Sequence, residues 1–187
     1  MKKIPTIYRR DPDNPRYVLP ELVPGCEWVF EPDAVPTRKY DGTCVMFDGT
    51  DWYARREVKA GKLAPPKFHC VELDENTLNM VGWEPIEQSP FYKFHDEALT
   101  LFHLAWGTSG LPWPTGTYEL CGPKINGNPE GYATHALLRH ADAEQLVGVI
   151  GDFTYLANWL GNHTYEGIVW HHPDGRMAKV KRRDFPK

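Results

Sequence analysis

Four short segments of this chain place charged side chains in stretches whose composition is otherwise typical of β-strands. They are Lys39-Tyr40-Asp41-Gly42, Tyr118-Glu119-Leu120, Glu166-Gly167-Ile168-Val169 and Lys179-Val180-Lys181. Because side chains alternate between the two faces of a strand, Lys179 and Lys181 share one face and Val180 points to the other. A lysine such as Lys39 in a half-buried strand is either a solvated surface residue or a nucleophile. Which of the two it is depends on the residues that the other segments place near it.

Lys39 is the candidate nucleophile of this set. An ordinary lysine amine has a pKa of roughly 10.4 and is a poor nucleophile near neutral pH. Partial burial and nearby cations favour the uncharged amine, and Lys179 and Lys181 could supply those cations. The same cations would neutralise charge on a phosphate group. Arg55, or Arg56 beside it, could bind phosphate or an incoming RNA end through its planar guanidinium.

The order of the segments resembles the ordered motifs of the covalent nucleotidyltransferases, which are the polynucleotide ligases and the mRNA capping enzymes. From Lys39 to Lys181 the chain carries, in turn, Lys-x-Asp-Gly, an arginine pair on the next strand, a strand glutamate, Glu-Gly-Ile-Val and Lys-x-Lys. In that family the lysine of Lys-x-Asp-Gly attacks the α-phosphate of a nucleotide and becomes a lysyl-NMP. The likeness spans most of the chain.

Within this superfamily the chain is most similar to the small ATP-dependent 5′–3′ RNA ligase family that includes a vertebrate RNA ligase. The segments that carry this likeness are RKYDGTC, WYARR, GWEPIE, INGNPEG and YEGIVWHHPDGRMAKVKRR. Cys44 stands where DNA ligases and capping enzymes usually carry a basic residue. The resemblance therefore implies an RNA ligase. The alternatives are a minimal DNA ligase, a capping-type guanylyltransferase that uses GTP, or a module that binds nucleotide or RNA without catalysis.

The resemblance also implies residue roles. Lys39 would take AMP from ATP, the AMP would pass to a 5′-phosphate on RNA, and a 3′-hydroxyl would displace it. The residues that would bind the nucleotide are Arg55, Glu119, Lys179 and Lys181. Glu119 would contact a ribose hydroxyl, or, without that role, form a cross-strand salt bridge. Glu166 would bind Mg²⁺ or Mn²⁺, with phosphate oxygens and water completing the shell.

Further residues of the same motifs have two interpretations each: Asp41, Gly42, Arg56, Lys124 and Asn126. Asp41 either orients Lys39 or stabilises the turn, and Gly42, like Gly167, would let the backbone lie close to a nucleotide. Lys124 and Asn126 either contact the nucleotide or RNA or only shape a glycine- and asparagine-rich loop. The resemblance does not identify the aromatic side chain that stacks on the adenine. The candidates are Tyr40, Trp83, Phe153 and Trp170, and each could instead be a residue of the hydrophobic core.

Composition narrows the class of protein. The formal net charge is −4, which taken alone argues against a nucleic-acid binder, but basic residues cluster from Tyr53 to Lys67 and from Arg176 to the end. The four cysteines are widely spaced without a Cys-x-x-Cys pair, so we expect reduced thiols rather than a structural zinc site. No apolar run approaches the roughly 18 residues of a membrane span, and the start does not look like a signal peptide, so we expect a cytoplasmic protein without membrane contact.

The patterns predict an α+β fold with mainly antiparallel sheets and flanking helices. The resemblance implies that this fold is a ligase-type nucleotidyltransferase (adenylation) domain. We expect one domain over residues 1–187, with 1–36 as an irregular lead-in that has a short strand near Cys26–Phe30. Phe94, Ala98, Leu101, Phe102 and Ala105 have helical spacing, and a second helix should start at the N-cap Asp152 and stop at Gly161.

The last hairpin makes a structural check possible. A two-residue turn at Pro173-Asp174 would pair Glu166 with Lys181, whereas a bulge at Gly175 would shift the register by one residue; we expect the two side chains to converge. The chain ends soon after Lys181, so we expect no oligonucleotide-binding-fold domain. We expect a monomer, and whether a partner protein supplies RNA binding in place of that domain is left open.

Overall fold

The computed structural model describes residues 2–106, 113–149 and 152–186. It has the predicted α+β architecture, and its strands pair antiparallel within each sheet. The contacts divide the chain into two compact units: the first comprises Met1–Lys3 and Asp41–Asp142, and the second comprises Ile4–Tyr40 and Ala143–Lys187. Lys187, the last residue of the basic C-terminal cluster, lies outside the described residues.

The first unit is built on a six-stranded sheet and one long helix. In chain order its elements are β4 (Thr43–Phe47), β5 (Trp52–Val58), β6 (His69–Leu73), β7 (Met80–Pro85), α1 (Tyr92–Trp106), β8 (Gly116–Cys121) and β9 (Ala136–Arg139). The sheet order is β6-β7-β5-β4-β8-β9. Val45, Ala54, Tyr118 and Leu120 are buried on one face of the sheet and form a core with Ala98 of α1. The helix predicted from the spacing of Phe94 and Ala98 is thereby confirmed.

The second unit contains two small sheets and one helix. Its elements are β1 (Tyr8–Arg10), β2 (Val18–Leu22), β3 (Val35–Lys39), α2 (Phe153–Gly161), β10 (Gly167–His171) and β11 (Met177–Lys181). β1 pairs with β2, and the other sheet has the order β11-β10-β3. The core joins Leu156 and Leu160 of α2 to Ile168, Trp170 and Val180 on one face of the three-stranded sheet. Asp152 is the N-cap of α2 as predicted, because its side chain accepts a hydrogen bond from the Tyr155 N–H.

Two local expectations differ from the structure. The lead-in holds the β1–β2 hairpin, and Glu27–Phe30 forms a 3₁₀ helix where a strand was expected. Both strands are short and Pro20 lies inside β2, so the sequence shows no clean alternation there. In the last hairpin, the His172 N–H donates to Arg176 O, and Gly175 has a φ of +91°. The loop is one residue longer than a two-residue turn, so Gly167, rather than Glu166, pairs with Lys181.

None of the helices in the described part of the chain is long and apolar enough to cross a membrane.

His95 of α1 is a buried ionisable group with an incompletely satisfied side chain. It is 1% exposed, its ring lies 4.7 Å from that of Trp52, and Nε2 is buried without a hydrogen-bond partner among the described residues. Burial lowers the pKa of His95 to about 4, although the charge of Asp96 opposes this. His95 is therefore neutral in the folded protein at pH 7.

We expect wild type to lose stability relative to His95→Phe as the pH falls from 6.5 to 4. In that window the unfolded chain binds a proton at this residue and the folded protein does not, so its stability rises with pH. The difference between 6.5 and about 4 corresponds to about 3 kcal/mol. Urea unfolding of both proteins at several pH values measures it, and a constant difference between them across the window would contradict this account.

Candidate active site

Lys39 and Lys181 lie on either side of a glycine in the three-stranded sheet. Lys39 of β3 and Lys181 of β11 are both register partners of Gly167 in β10. Partner residues in adjacent strands project from the same face, so two lysine side chains flank a position that has none. The carboxylate of Glu166, the preceding residue, lies between them: Oε2 is 2.5 Å from Lys39 Nζ and Oε1 is 2.5 Å from Lys181 Nζ.

This lysine cluster (Lys39, Glu166 and Lys181) is largely withdrawn from water. The three side chains are 19%, 10% and 19% exposed. Burial by itself would raise the pKa of Glu166, but the charge of Lys39 and hydrogen bonds from both lysines outweigh burial and hold that pKa below its ordinary value. With one ionised carboxylate and two ammonium groups, the cluster carries a net charge of +1.

The lysine cluster uses the sheet face that the core of the second unit does not. Ile168 and Val180 point to the buried core, so their neighbours Gly167, Lys179 and Lys181 point the other way. Glu166 itself lies opposite Arg182, whose N–H donates to Glu166 O at 2.7 Å. Glu166 and Lys181 therefore converge as expected, although Gly167 rather than Glu166 is the register partner of Lys181.

In the first unit, Glu119 is buried on the sheet face opposite the core. It is 7% exposed and is the register partner of Cys44 in β4 and of Leu138 in β9. Its Oε1 accepts a hydrogen bond from the Gly42 N–H at 3.1 Å, and its Oε2 lies 2.9 Å from His140 Nε2. Its acidic side chain is thus held by a backbone amide and a histidine, and no lysine or arginine of the described part of the chain forms an ion pair with it.

The loop of residues 122–131 clamps the Asp41-Gly42 turn. Asn126 Nδ2 donates to Asp41 Oδ1 at 3.0 Å and to Gly42 O at 2.8 Å, and Glu130 Oε1 accepts from the Asp41 N–H at 2.8 Å. A Cβ on Gly42 would overlap Leu120 O, so close strand contact alone requires glycine there. These contacts favour the turn-stabilising interpretation of Asp41. Lys124 is exposed, with a left-handed φ of 66°.

The two neighbouring arginines point to opposite faces of the sheet. Arg56 lies on the core face, where its Nη1 is 3.5 Å from Oε1 of Glu84, a residue that is 2% exposed. Arg55 lies on the same face as Glu119, and its Nε is buried without a hydrogen-bond partner among the described residues. Of this pair, the structure brings only Arg55 to the face with Glu119.

The adenine candidates fall into two groups. Trp170 is 1% exposed and Trp83 is 4% exposed, and Phe153 packs on Tyr8 in the core of the second unit with ring centroids 5.0 Å apart. Tyr40 is half-buried and lies under the Arg38 guanidinium at 4.8 Å. A core position therefore accounts for Trp170 and Phe153, whereas Trp83, the register partner of Arg55, is buried on the sheet face with Glu119.

No role was predicted from the sequence for His140, Thr117 or Glu130. His140 follows β9 in a 3₁₀ turn, and only the β8–β9 pairing brings it to Glu119. Thr117 lies two residues before Glu119 and therefore on its face of β8. Glu130 lies within the INGNPEG segment, but its contact is to a backbone amide and leaves no pattern in the sequence.

We expect Gly167→Ala to lower the free energy of unfolding by about 1–3 kcal/mol, a usual cost of forcing extra atoms into a packed site. A Cβ at residue 167 would overlap Val180 O and lie 2.8 Å from Lys181 Cα. The matched control in the same unit is Gly161→Ala, because no atom lies within 4 Å of its Cβ position. The control should be unchanged or stabilised by up to about 1 kcal/mol. Equal unfolding midpoints for both variants would show that the close approach at Gly167 is wrong.

Comparison with known proteins adds no family assignment. No model of a known protein family matches this chain, and no curated protein matches it.

Proposed function

We propose that this protein is an ATP-dependent RNA ligase that works through a lysyl-AMP intermediate on Lys39. The observation that carries the proposal is the lysine cluster: an amine on a strand, held at 2.5 Å from a buried carboxylate that a second lysine shares. The order of the motifs in the sequence supports the same activity. The substrates would be ATP and RNA with 5′-phosphate and 3′-hydroxyl ends.

The lysine cluster has the charge that a triphosphate requires. Its net positive charge, extended by Lys179 on the same face, would neutralise phosphate oxygens and stabilise the charge that develops as pyrophosphate leaves. In the reaction, the lone pair of Lys39 Nζ forms a bond to the α-phosphorus, the bond to pyrophosphate breaks, and the amine proton passes to solvent. AMP then passes to the RNA 5′-phosphate, and the 3′-hydroxyl displaces it.

Glu166 has two roles in this proposal. In the protein without nucleotide it stabilises the charged form of Lys39, which is not nucleophilic. Lys39 must therefore leave this ion pair before it attacks, and phosphates that attract Lys181 and Lys179 would loosen it. Glu166 would also hold Mg²⁺ or Mn²⁺: a single carboxylate fits a hard cation whose other ligands are phosphate oxygens and water. The metal ion would supply further neutralisation of phosphate charge.

The remaining residues would bind the nucleotide. Glu119 would accept a hydrogen bond from a ribose hydroxyl. Arg55, whose buried Nε has no hydrogen-bond partner within the described ranges, would bind phosphate. Asn126 would keep the Asp41-Gly42 turn in place. The same proposal includes a ligase-type nucleotidyltransferase fold and a cytoplasmic monomer.

We expect the protein to form a covalent adduct with α-labelled ATP in the presence of Mg²⁺ that survives denaturation. Lys39→Arg should abolish the adduct while keeping the charge, and Lys181→Met should slow its formation by about 100–1,000-fold, as loss of one stabilising donor does elsewhere. Lys59→Arg is the control, since Lys59 is 68% exposed and pairs only with Glu57 among the contacts described.

Three results would reject parts of the proposal. Reversible binding of ATP without any adduct would indicate a non-catalytic module. An adduct with GTP in preference to ATP would indicate a guanylyltransferase. Sealing of nicked DNA but not of RNA would indicate a DNA ligase.

The role of Glu119 can be tested separately with deoxynucleotides. We expect wild type to form the adduct faster with ATP than with 2′-deoxy-ATP or 3′-deoxy-ATP, and Glu119→Gln to lose most of that preference, because an ionised acceptor hydrogen-bonds a hydroxyl more strongly. Initial rates of adduct formation give the ratio for each protein. If wild type and Glu119→Gln have the same ratio, Glu119 does not contact a ribose hydroxyl.

A further inference from the structure

Cys44, Glu119 and His140 bring three metal-ligand atoms together in the first unit. One thiol sulfur, one carboxylate oxygen and one imidazole nitrogen lie within 4.8 Å of one another. Thiolate, imidazole and carboxylate are the ligands that proteins use for Zn²⁺. Mg²⁺ takes oxygen ligands, so the sulfur makes this a different kind of site from the one proposed at Glu166.

Three adjacent strands hold these side chains in place. Cys44 and Glu119 are register partners in β4 and β8, and Glu119 is the partner of Leu138 in β9. His140 opens the 3₁₀ turn directly after β9. The side chains of Glu119 and His140 are 9% and 28% exposed, so the cluster is sheltered but reachable from solvent. A site on paired strands needs little rearrangement to bind an ion.

Neighbouring hydrogen bonds orient the two facing ligand atoms, Glu119 Oε2 and His140 Nε2, for metal binding. In the metal-free protein the 2.9 Å contact between His140 Nε2 and Glu119 Oε2 holds a proton between the two atoms. His140 Nδ1 lies 2.9 Å from Thr117 Oγ1, and this hydroxyl can accept a proton from Nδ1 in the other tautomer, in which the lone pair of Nε2 is available to a metal. The Gly42 N–H fixes Oε1 of Glu119, so that Oε2 is the oxygen turned toward His140. Thr117 is thus the outer-shell partner that metal-binding histidines usually have.

We propose that Cys44, Glu119 and His140 bind one Zn²⁺-type transition-metal ion, with a fourth position open to water or another small ligand. On binding, Cys44 Sγ, Glu119 Oε2 and His140 Nε2 form bonds to the ion. The thiol proton passes to solvent. The imidazole keeps one proton, which moves through solvent from Nε2, where it faces Oε2 in the metal-free protein, to Nδ1, where Thr117 Oγ1 accepts it, and no atom changes oxidation state. The proposal departs from the expectation of reduced thiols rather than a structural zinc site. The three ligands are widely spaced in the sequence, so no local motif indicates this site.

The metal site does not depend on the proposed ligase activity, but it would affect that activity. Glu119 is the residue assigned to the ribose, and its carboxylate cannot serve the ion and the sugar at the same time. Zn²⁺ at this site would therefore inhibit adduct formation with ATP.

The test is a titration of the full chain with Co²⁺, a spectroscopic substitute for Zn²⁺, with a non-thiol reductant present. We expect one equivalent to bind with the visible bands of four-coordinate Co²⁺ and a near-ultraviolet sulfur-to-cobalt band, and Zn²⁺ to displace it. Cys44→Ser should remove the sulfur band, and Thr117→Val should weaken binding by roughly tenfold through loss of the outer-shell partner. Cys70→Ser, a change at an exposed cysteine outside the cluster, should bind as wild type does.

Circular dichroism establishes that each variant is folded before its titration is interpreted. The proposal is overturned if folded wild type shows no sulfur-to-cobalt band, if Cys44→Ser keeps the band, or if Cys70→Ser loses it. His140→Gln gives an independent check, because it should weaken Co²⁺ binding while leaving the thiol in place. Unchanged affinity in that variant would also reject the site.

Discussion

The carboxylate of Glu166, shared by Lys39 and Lys181, is the interaction on which the candidate active site depends. Two ammonium groups this close repel each other, and burial by itself would raise the pKa of the Glu166 carboxyl. Each charge is stable because the others are there, with Nζ–Oε distances of 2.5 Å on both sides. The arrangement needs a residue without a side chain between the two lysines, which is Gly167, and a sheet whose other face supplies the core.

The two glutamates assigned to the candidate site, Glu119 and Glu166, have different partners and therefore different chemistry. Glu166 is surrounded by ammonium groups, which suits phosphates and a hard cation. Glu119 meets a backbone amide, an imidazole and the neighbouring Cys44, which suits a hydroxyl or a softer metal ion. Because Glu119 Oε1 also holds the Gly42 N–H, a change at Glu119 also acts on the turn that follows Lys39 and Tyr40 in the chain. This coupling makes Glu119→Gln, which keeps the shape of the side chain, more informative than truncation.

Strand-like and helical spacing in the sequence was enough to predict the α+β fold and the two helices. The convergence of Glu166 with Lys181 was also predicted, but through a direct pairing of the two residues that the structure does not have. The register of the last hairpin was not predictable, because Gly175 permits either a two-residue or a longer turn and only packing decides. Alternation separates Arg55 from Arg56, but which of them meets the core depends on the buried partner Glu84, which no local pattern reveals. The Cys44–Glu119–His140 cluster was not predicted from the sequence for a similar reason. It is created by the pairing of β4, β8 and β9, segments that lie far apart in the sequence.

The most direct test of the central claim is to map the modified residue after incubation with ATP and Mg²⁺. Proteolysis under conditions that preserve a phosphoramidate, followed by mass spectrometry of the peptides, locates any bound AMP. The account predicts AMP on the peptide that contains Lys39, with the phosphoramidate bond at its Nζ. AMP on another residue, or sealing of RNA ends by a protein whose Lys39 is never modified, would contradict it.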